Sequence, residues 1–228
     1  MIENRAYHGL EFLISKFNSD KICYILLPEE FEDNGAKKVE AYSEQYGCTI
    51  VLITGMNWNS DLTPWPAPGI LKNEEPFEGL ARDFFKLLLN DYFHNVEQAL
   101  GIKHAERYLV GVSLSGLFAV WSLWQTDTFK GIASISGSFW YDKFIEWAEK
   151  QELKGHPSKV HLSIGDKEKD TRDSRVATIE DATARIAGIL KGKGLNVDCQ
   201  HIPGVTHFSP IFPRIETALN SILGIMGD

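Results

Sequence analysis

The chain has 228 residues, 43% of them hydrophobic and 24% charged, and carries a net charge of −8 with a pI near 5.4. These values exclude a disordered or fibrous polymer and fit a single α/β domain. The acidic balance argues against nucleic acid or an anionic membrane as a partner, because both select basic patches. Three cysteines, Cys23, Cys48 and Cys199, stand far apart without a CxxC pair. That spacing argues against a disulfide framework or a zinc site, and no cofactor or metal is expected. Residues 1–24 are charged throughout, without the apolar core of a signal peptide, and no apolar run is long enough to span a bilayer. The expectation is a cytoplasmic protein with free, reduced thiols.

In chain order, residues 22–27 (ICYILL) form a short apolar run rich in strand formers, followed by a helical stretch at 35–46 and a second apolar run at 49–54 (TIVLIT). Residues 55–76 are irregular and carry four prolines and two tryptophans, and loops of that length inside compact domains are usually functional or mobile. The spacing of Leu80, Phe84, Leu87 and Leu88 predicts a helix over 77–100. A strand at 107–111 (RYLVG) then leads into a helix at 115–125. Three further strand and helix pairs follow: 131–135 with 141–150, 160–164 with 176–190, and 196–202 with 213–223. Strands separated by helices imply βαβ crossovers, hence a mostly parallel central sheet with helices on both faces. With no repeat or linker, residues 1–228 read as one domain.

In an open parallel sheet, chemistry collects at the carboxyl ends of the strands. Gly111-Val112-Ser113-Leu114-Ser115-Gly116 lies at such an end, between a hydrophobic strand and an apolar helix. A nucleophile at the apex of a tight strand-to-helix turn needs small neighbours two residues away, which Gly111 and Ser115 provide. The plain alternative is a serine that merely caps the helix. A serine hydroxyl needs a base, in the order serine, acid, histidine. Of seven histidines, only His201 and His207 lie at or after the end of the last predicted strand. His207, in the glycine-containing loop ahead of the final helix, reaches over the strand ends, whereas His201 belongs to the strand itself. His161 lies within a strand, and His8, His94, His104 and His156 read as surface residues. The loop after 160–164 offers Asp166, Glu168 and Asp170. Glu168 has the favoured offset from Gly165, with the two aspartates still open.

With these positions located, the chain resembles the esterase D family of α/β-hydrolases, which includes enterochelin esterases. The resemblance covers residues 21–225. It rests on Asp61-Leu62-Thr63-Pro64-Trp65-Pro66, the hexapeptide around Ser113, Ser136-Gly137-Ser138-Phe139-Trp140-Tyr141, Gly165-Asp166-Lys167-Glu168 and Gly204-Val205-Thr206-His207-Phe208. It implies a Ser113–Glu168–His207 triad cleaving a carboxylic ester, with oxyanion donors from Leu114 and from the turn near Glu29. Three departures stand out. Ser115 replaces the usual elbow glycine. Asn57, Trp58, Asn59 and Ser60 stand where the family has a basic residue, which argues against an anionic siderophore-like substrate. The segment before Ile22 is short, so reduced amino-terminal strands are expected. Specificity is expected from 55–76 and around Trp140, with Trp58, Trp65, Phe139 and Trp140 as candidate pocket walls. The competing functions are acyl transfer through the same triad, and a catalytically silent binding protein on the same fold.

Overall fold

A computed structural model describes residues 2–7, 9–28, 35–70 and 75–224. Eight strands form one sheet in the order β1-β2-β4-β3-β5-β6-β7-β8. Strands β3 (Lys21–Leu26), β4 (Thr49–Thr54), β5 (Glu106–Val112), β6 (Phe129–Ile135), β7 (Lys159–Gly165) and β8 (Val197–Ile202) run parallel. Strands β3 and β4 are buried on both faces almost along their whole length, which is why they read as continuous apolar runs rather than alternating ones.

The helices are α1 (Gly35–Tyr46), α2 (Trp58–Asp61), α3 (Ala81–Leu87), α4 (His94–Leu100), α5 (Leu114–Trp121), α6 (Phe144–Lys150), α7 (Ile179–Gly192) and α8 (Phe212–Leu223). The two sheet faces carry separate cores. One contains Phe84, Phe85, Phe118, Trp121 and Phe144; the other joins Val39 and Tyr42 of α1 to Ile215 and Leu219 of α8. The α/β-hydrolase fold is the result: a mostly parallel sheet with helices on both faces. No helix among the described residues is long and apolar enough to cross a membrane.

The amino-terminal expectation is corrected. Strands β1 (Ile2–Tyr7) and β2 (Leu10–Ser15) form an antiparallel hairpin, and β2 pairs antiparallel with β4. A parallel strand would have needed a long crossover, but a hairpin closes through two residues, here with Gly9 at φ +87°. Leu10, Phe12 and Ile14 point into the core while Glu11 faces out, an alternation that is short but regular.

The helix predicted over 77–100 begins at Ala81, because Phe77 pairs with Ala67 in an isolated bridge. A π-helical turn, Leu88–Phe93, joins α3 to α4. At its end Phe93 stacks on Tyr24, and in α4 Glu97 accepts hydrogen bonds from Tyr24 Oη at 2.9 Å and Arg107 Nε at 2.6 Å. Cys23 and Cys48 are buried free thiols, and Cys199 is a half-buried one.

Candidate active site

Ser113 sits between β5 and α5 with φ 58° and ψ −119°, a conformation that costs a non-glycine residue about 1–3 kcal/mol. The turn closes this tightly because Gly111 has no side chain; a Cβ there would strike the backbone carbonyl of Ser115. Ser115, the departure from the usual elbow glycine, is an active part of the turn. Its buried hydroxyl accepts from the Val112 N–H at 2.7 Å and lies 2.7 Å from the Leu26 carbonyl, so it ties the elbow to the end of β3. Ser138 braces the other side. Its N–H donates to the Ser113 carbonyl at 3.0 Å, and the two hydroxyls are 3.3 Å apart. Leu114 opens α5, so its N–H belongs to the first turn, where backbone donors lack intrahelical partners. Glu29, the expected second oxyanion position, lies outside the described residues.

His207 and Phe208 occupy the two central positions of a β-turn, closed by the Ser209 N–H to the Thr206 carbonyl at 3.2 Å. The turn is laced to the loop after β7. The Gly204 N–H donates to Asp166 Oδ1 at 2.8 Å, and the Lys167 N–H to the Val205 carbonyl at 3.1 Å. Gly165 permits that approach, since a Cβ there would collide with the Val205 carbonyl. Gly165→Ala should therefore displace the turn that carries His207. The expected result is a stability loss of about 1–3 kcal/mol by thermal unfolding and a loss of about a hundredfold in ester turnover.

The structure brings Glu168, rather than its two neighbours, to the histidine. Glu168 Oε2 lies 2.9 Å from His207 Nδ1, and the carboxylate is almost wholly buried, at 1% exposure. Its other oxygen accepts from the Gly165 N–H at 2.8 Å, Ser136 Oγ at 2.5 Å and Arg214 at 3.2 Å. Arg214 also bonds Ser136 Oγ, which reaches this position because Ser136 turns the chain after β6 with φ 51°. Burial pushes the Glu168 carboxyl up, but the His207, Ser136 and Gly165 hydrogen bonds and the Arg214 charge outweigh it and hold the group below the ordinary carboxylate range. Asp166 is occupied in fastening the Gly204 backbone, and Asp170 is exposed.

Ser113 and His207 line one cavity of ≈ 690 Å³, with Leu27, Met56, Trp58, Phe208 and Ile211 among its walls. Of the four aromatic candidates, Trp58 is there. Trp65 instead packs against Tyr141 and Trp147 and donates from Nε1 to the Asp142 carbonyl at 2.9 Å. Phe139 is buried in the core, and Trp140 lies against Phe77 with the Arg175 guanidinium 5.6 Å from its ring. Trp65 and Trp140 are thus packing residues rather than part of the described cavity lining: the Pro-rich segment passes Ser113 at Met56 and Trp58 and then turns onto α6 at Trp65, while Trp140 packs on Phe77.

Sequence reasoning did not mention Arg214, and it named Ser136 and Phe208 only as members of motifs, without a role. Arg214 had a signal, a cation inside the final, otherwise amphipathic helix. Of the remaining histidines, His201 is exposed 3.4 Å from Glu180 Oε1, and His161 is fully buried with Nδ1 3.1 Å from Asp198 Oδ2.

The fold and the placement of these groups at the carboxyl ends of β5, β7 and β8 define an α/β-hydrolase-fold protein. No family model matches the chain. It is similar to YbbA, an uncharacterized protein of Bacillus subtilis (strain 168), at 28% identity over 171 residues, 72% of this chain and 68% of YbbA. Among solved structures it is similar to the siderophore hydrolase EstB of Aspergillus nidulans, with a TM-score of 0.76 and 16% identity over 98% of this chain and 95% of that one. It is also similar to the enterobactin hydrolase IroE solved in complex with DFP, with a TM-score of 0.68 and 22% identity over 98% and 95% of the two chains.

Proposed function

We propose that the chain is a serine esterase of the esterase D and enterochelin esterase-like group, cleaving a carboxylic ester of a small molecule through an acyl-enzyme on Ser113. The observation that carries this reading is the buried Glu168 carboxylate 2.9 Å from His207 Nδ1, with His207 and Ser113 lining one cavity. In that arrangement His207 takes the Ser113 proton as Oγ attacks the ester carbonyl, and returns it to the leaving alcohol. Glu168 holds the ring in the tautomer that turns Nε2 toward the serine and stabilises the imidazolium. The Leu114 N–H, in the first turn of α5, supports the oxyanion. Water then attacks the acyl-enzyme with His207 again as base. The His207 side chain is 35% exposed, so water reaches the acyl-enzyme, and turnover with and without an added alcohol separates hydrolysis from acyl transfer.

The test is p-nitrophenyl acetate turnover together with fluorophosphonate labelling. A complete nucleophile, base and acid set also distinguishes this reading from a silent binding protein, which would show neither. Replacing His207 by glutamine should abolish turnover by at least about a hundredfold, the usual contribution of a positioned general base. His201→Gln should leave it unchanged, because His201 faces Glu180 on the sheet edge. Loss through His201 with an active His207→Gln protein would reverse the assignment.

A further inference from the structure

The described lining of the cavity beside Ser113 is mostly apolar. Twelve described residues line the cavity, and none is Lys, Arg, Asp or Glu; apart from Ser113 and His207, the Ser209 hydroxyl and the Trp58 indole N–H are its polar side-chain groups. The walls come from two directions. Leu27, Met56 and Trp58 follow the ends of β3 and β4, whereas Phe208, Pro210 and Ile211 follow His207 in sequence. Phe208 is 94% exposed at the apex of its turn, although large aromatic side chains gain most from burial. Among the described aromatic residues its ring meets one partner, His207, edge-on with the ring centroids 5.5 Å apart.

From this we infer that the substrate is an ester without a negative charge, apolar on both sides of the scissile bond. Its acyl chain packs on Leu27, Met56 and Trp58, and its alcohol on Phe208 and Pro210. The inference rests on the ester-hydrolase reading. The division follows from the chemistry: His207 must protonate the departing alcohol, so the leaving group lies on the histidine side, where Phe208 stands next in the chain. A carboxylate in the acyl chain would find no cationic partner among the described lining residues and would meet the field of a chain with net charge −8. A cavity of ≈ 690 Å³ accommodates substantially more than an acetyl group.

Two ester series on the full-length protein test this. With p-nitrophenol as constant alcohol, kcat/KM should rise about fourfold for each methylene added from acetate to hexanoate, the increment of burying one CH₂. The p-nitrophenyl hemisuccinate, close to the butyrate in length but anionic, should be at least about a hundredfold slower than the butyrate. With butyrate as constant acyl group, benzyl and butyl esters should outpace the methyl ester. Trp58→Ala should flatten the acyl series, and Phe208→Ala the alcohol series, each leaving the slope of the other. A flat acyl series, or a hemisuccinate as fast as the butyrate, overturns the inference while Ser113-dependent hydrolysis keeps the parent reading. Variants that flatten both series alike overturn the two-wall division. If no ester is turned over in a Ser113-dependent way, the parent reading fails and this inference with it.

Discussion

Replacing Ser113 by alanine should lower kcat by about 10⁴- to 10⁶-fold and leave the fold intact. The variant loses the covalent step, while the Leu114 N–H and the cavity still act, so a small rate above water should remain. The backbone explains why the fold survives. The elbow is held by Gly111, by the Ser115 hydroxyl on Val112 and Leu26, and by the Ser138 N–H on the Ser113 carbonyl, none of which needs the Ser113 side chain. A second substitution separates strain from chemistry. Ser113→Gly should be equally inactive yet more stable than wild type by about 1 kcal/mol, because glycine adopts φ 58°, ψ −119° without the penalty a Cβ incurs. Turnover, fluorophosphonate labelling and thermal unfolding of the three proteins check this. An alanine variant with wild-type turnover that still reacts with the fluorophosphonate would remove Ser113 from the nucleophile role.

Glu168→Gln should cost about two to four orders of magnitude in kcat, because a neutral amide no longer holds the imidazole in the productive tautomer or stabilises its cation. It should also destabilise the protein by about 3–5 kcal/mol. Arg214, only 4% exposed, would keep its charge and lose the carboxylate 3.2 Å away. Adding Arg214→Met to Glu168→Gln should restore much of the stability without restoring activity, separating the structural half of the pair from the catalytic half. The sign of the pH dependence follows from the depressed Glu168 pKa. The ionised carboxylate contributes fully above the ordinary carboxylate value of an unfolded chain, and that stability is lost as the pH falls through the lower folded value. Thermal unfolding against pH should therefore show an acid limb that Glu168→Gln flattens. Asp166→Asn and Asp170→Asn should each cost less than about tenfold in kcat. The asparagine Oδ1 still accepts from Gly204, and Asp170 is exposed. A stable Glu168→Gln protein with near-normal kcat would leave Ser113 and His207 acting as a dyad.

The parallel half of the sheet was legible in the chain because strands buried on both faces are continuous apolar runs, and helices between them carry a visible 3.6-residue period. The elbow was legible for a local reason as well: a strained turn restricts its neighbours within two residues, and Gly111 and Ser115 record that restriction in sequence. The choice of Glu168 from its loop followed from its offset to Gly165, and the geometry puts it beside His207. The β1–β2 hairpin was missed because β1 is a polar edge strand, and edge strands carry little hydrophobic pattern. Which tryptophan reaches the cavity was decided by tertiary structure alone. Trp58 and Trp65 share one Pro-rich segment, and only the path of that segment, pinned by Ala67 to Phe77 and by Trp65 to Asp142, separates a cavity wall from a core residue. The Arg214–Ser136–Glu168 cluster lay beyond sequence for the same reason. Its members come from α8, the turn after β6 and the turn after β7, and residues 136 and 214 meet only when the sheet brings those ends together. Local constraints leave their mark on neighbouring residues; contacts between distant strand ends are written only in the packing.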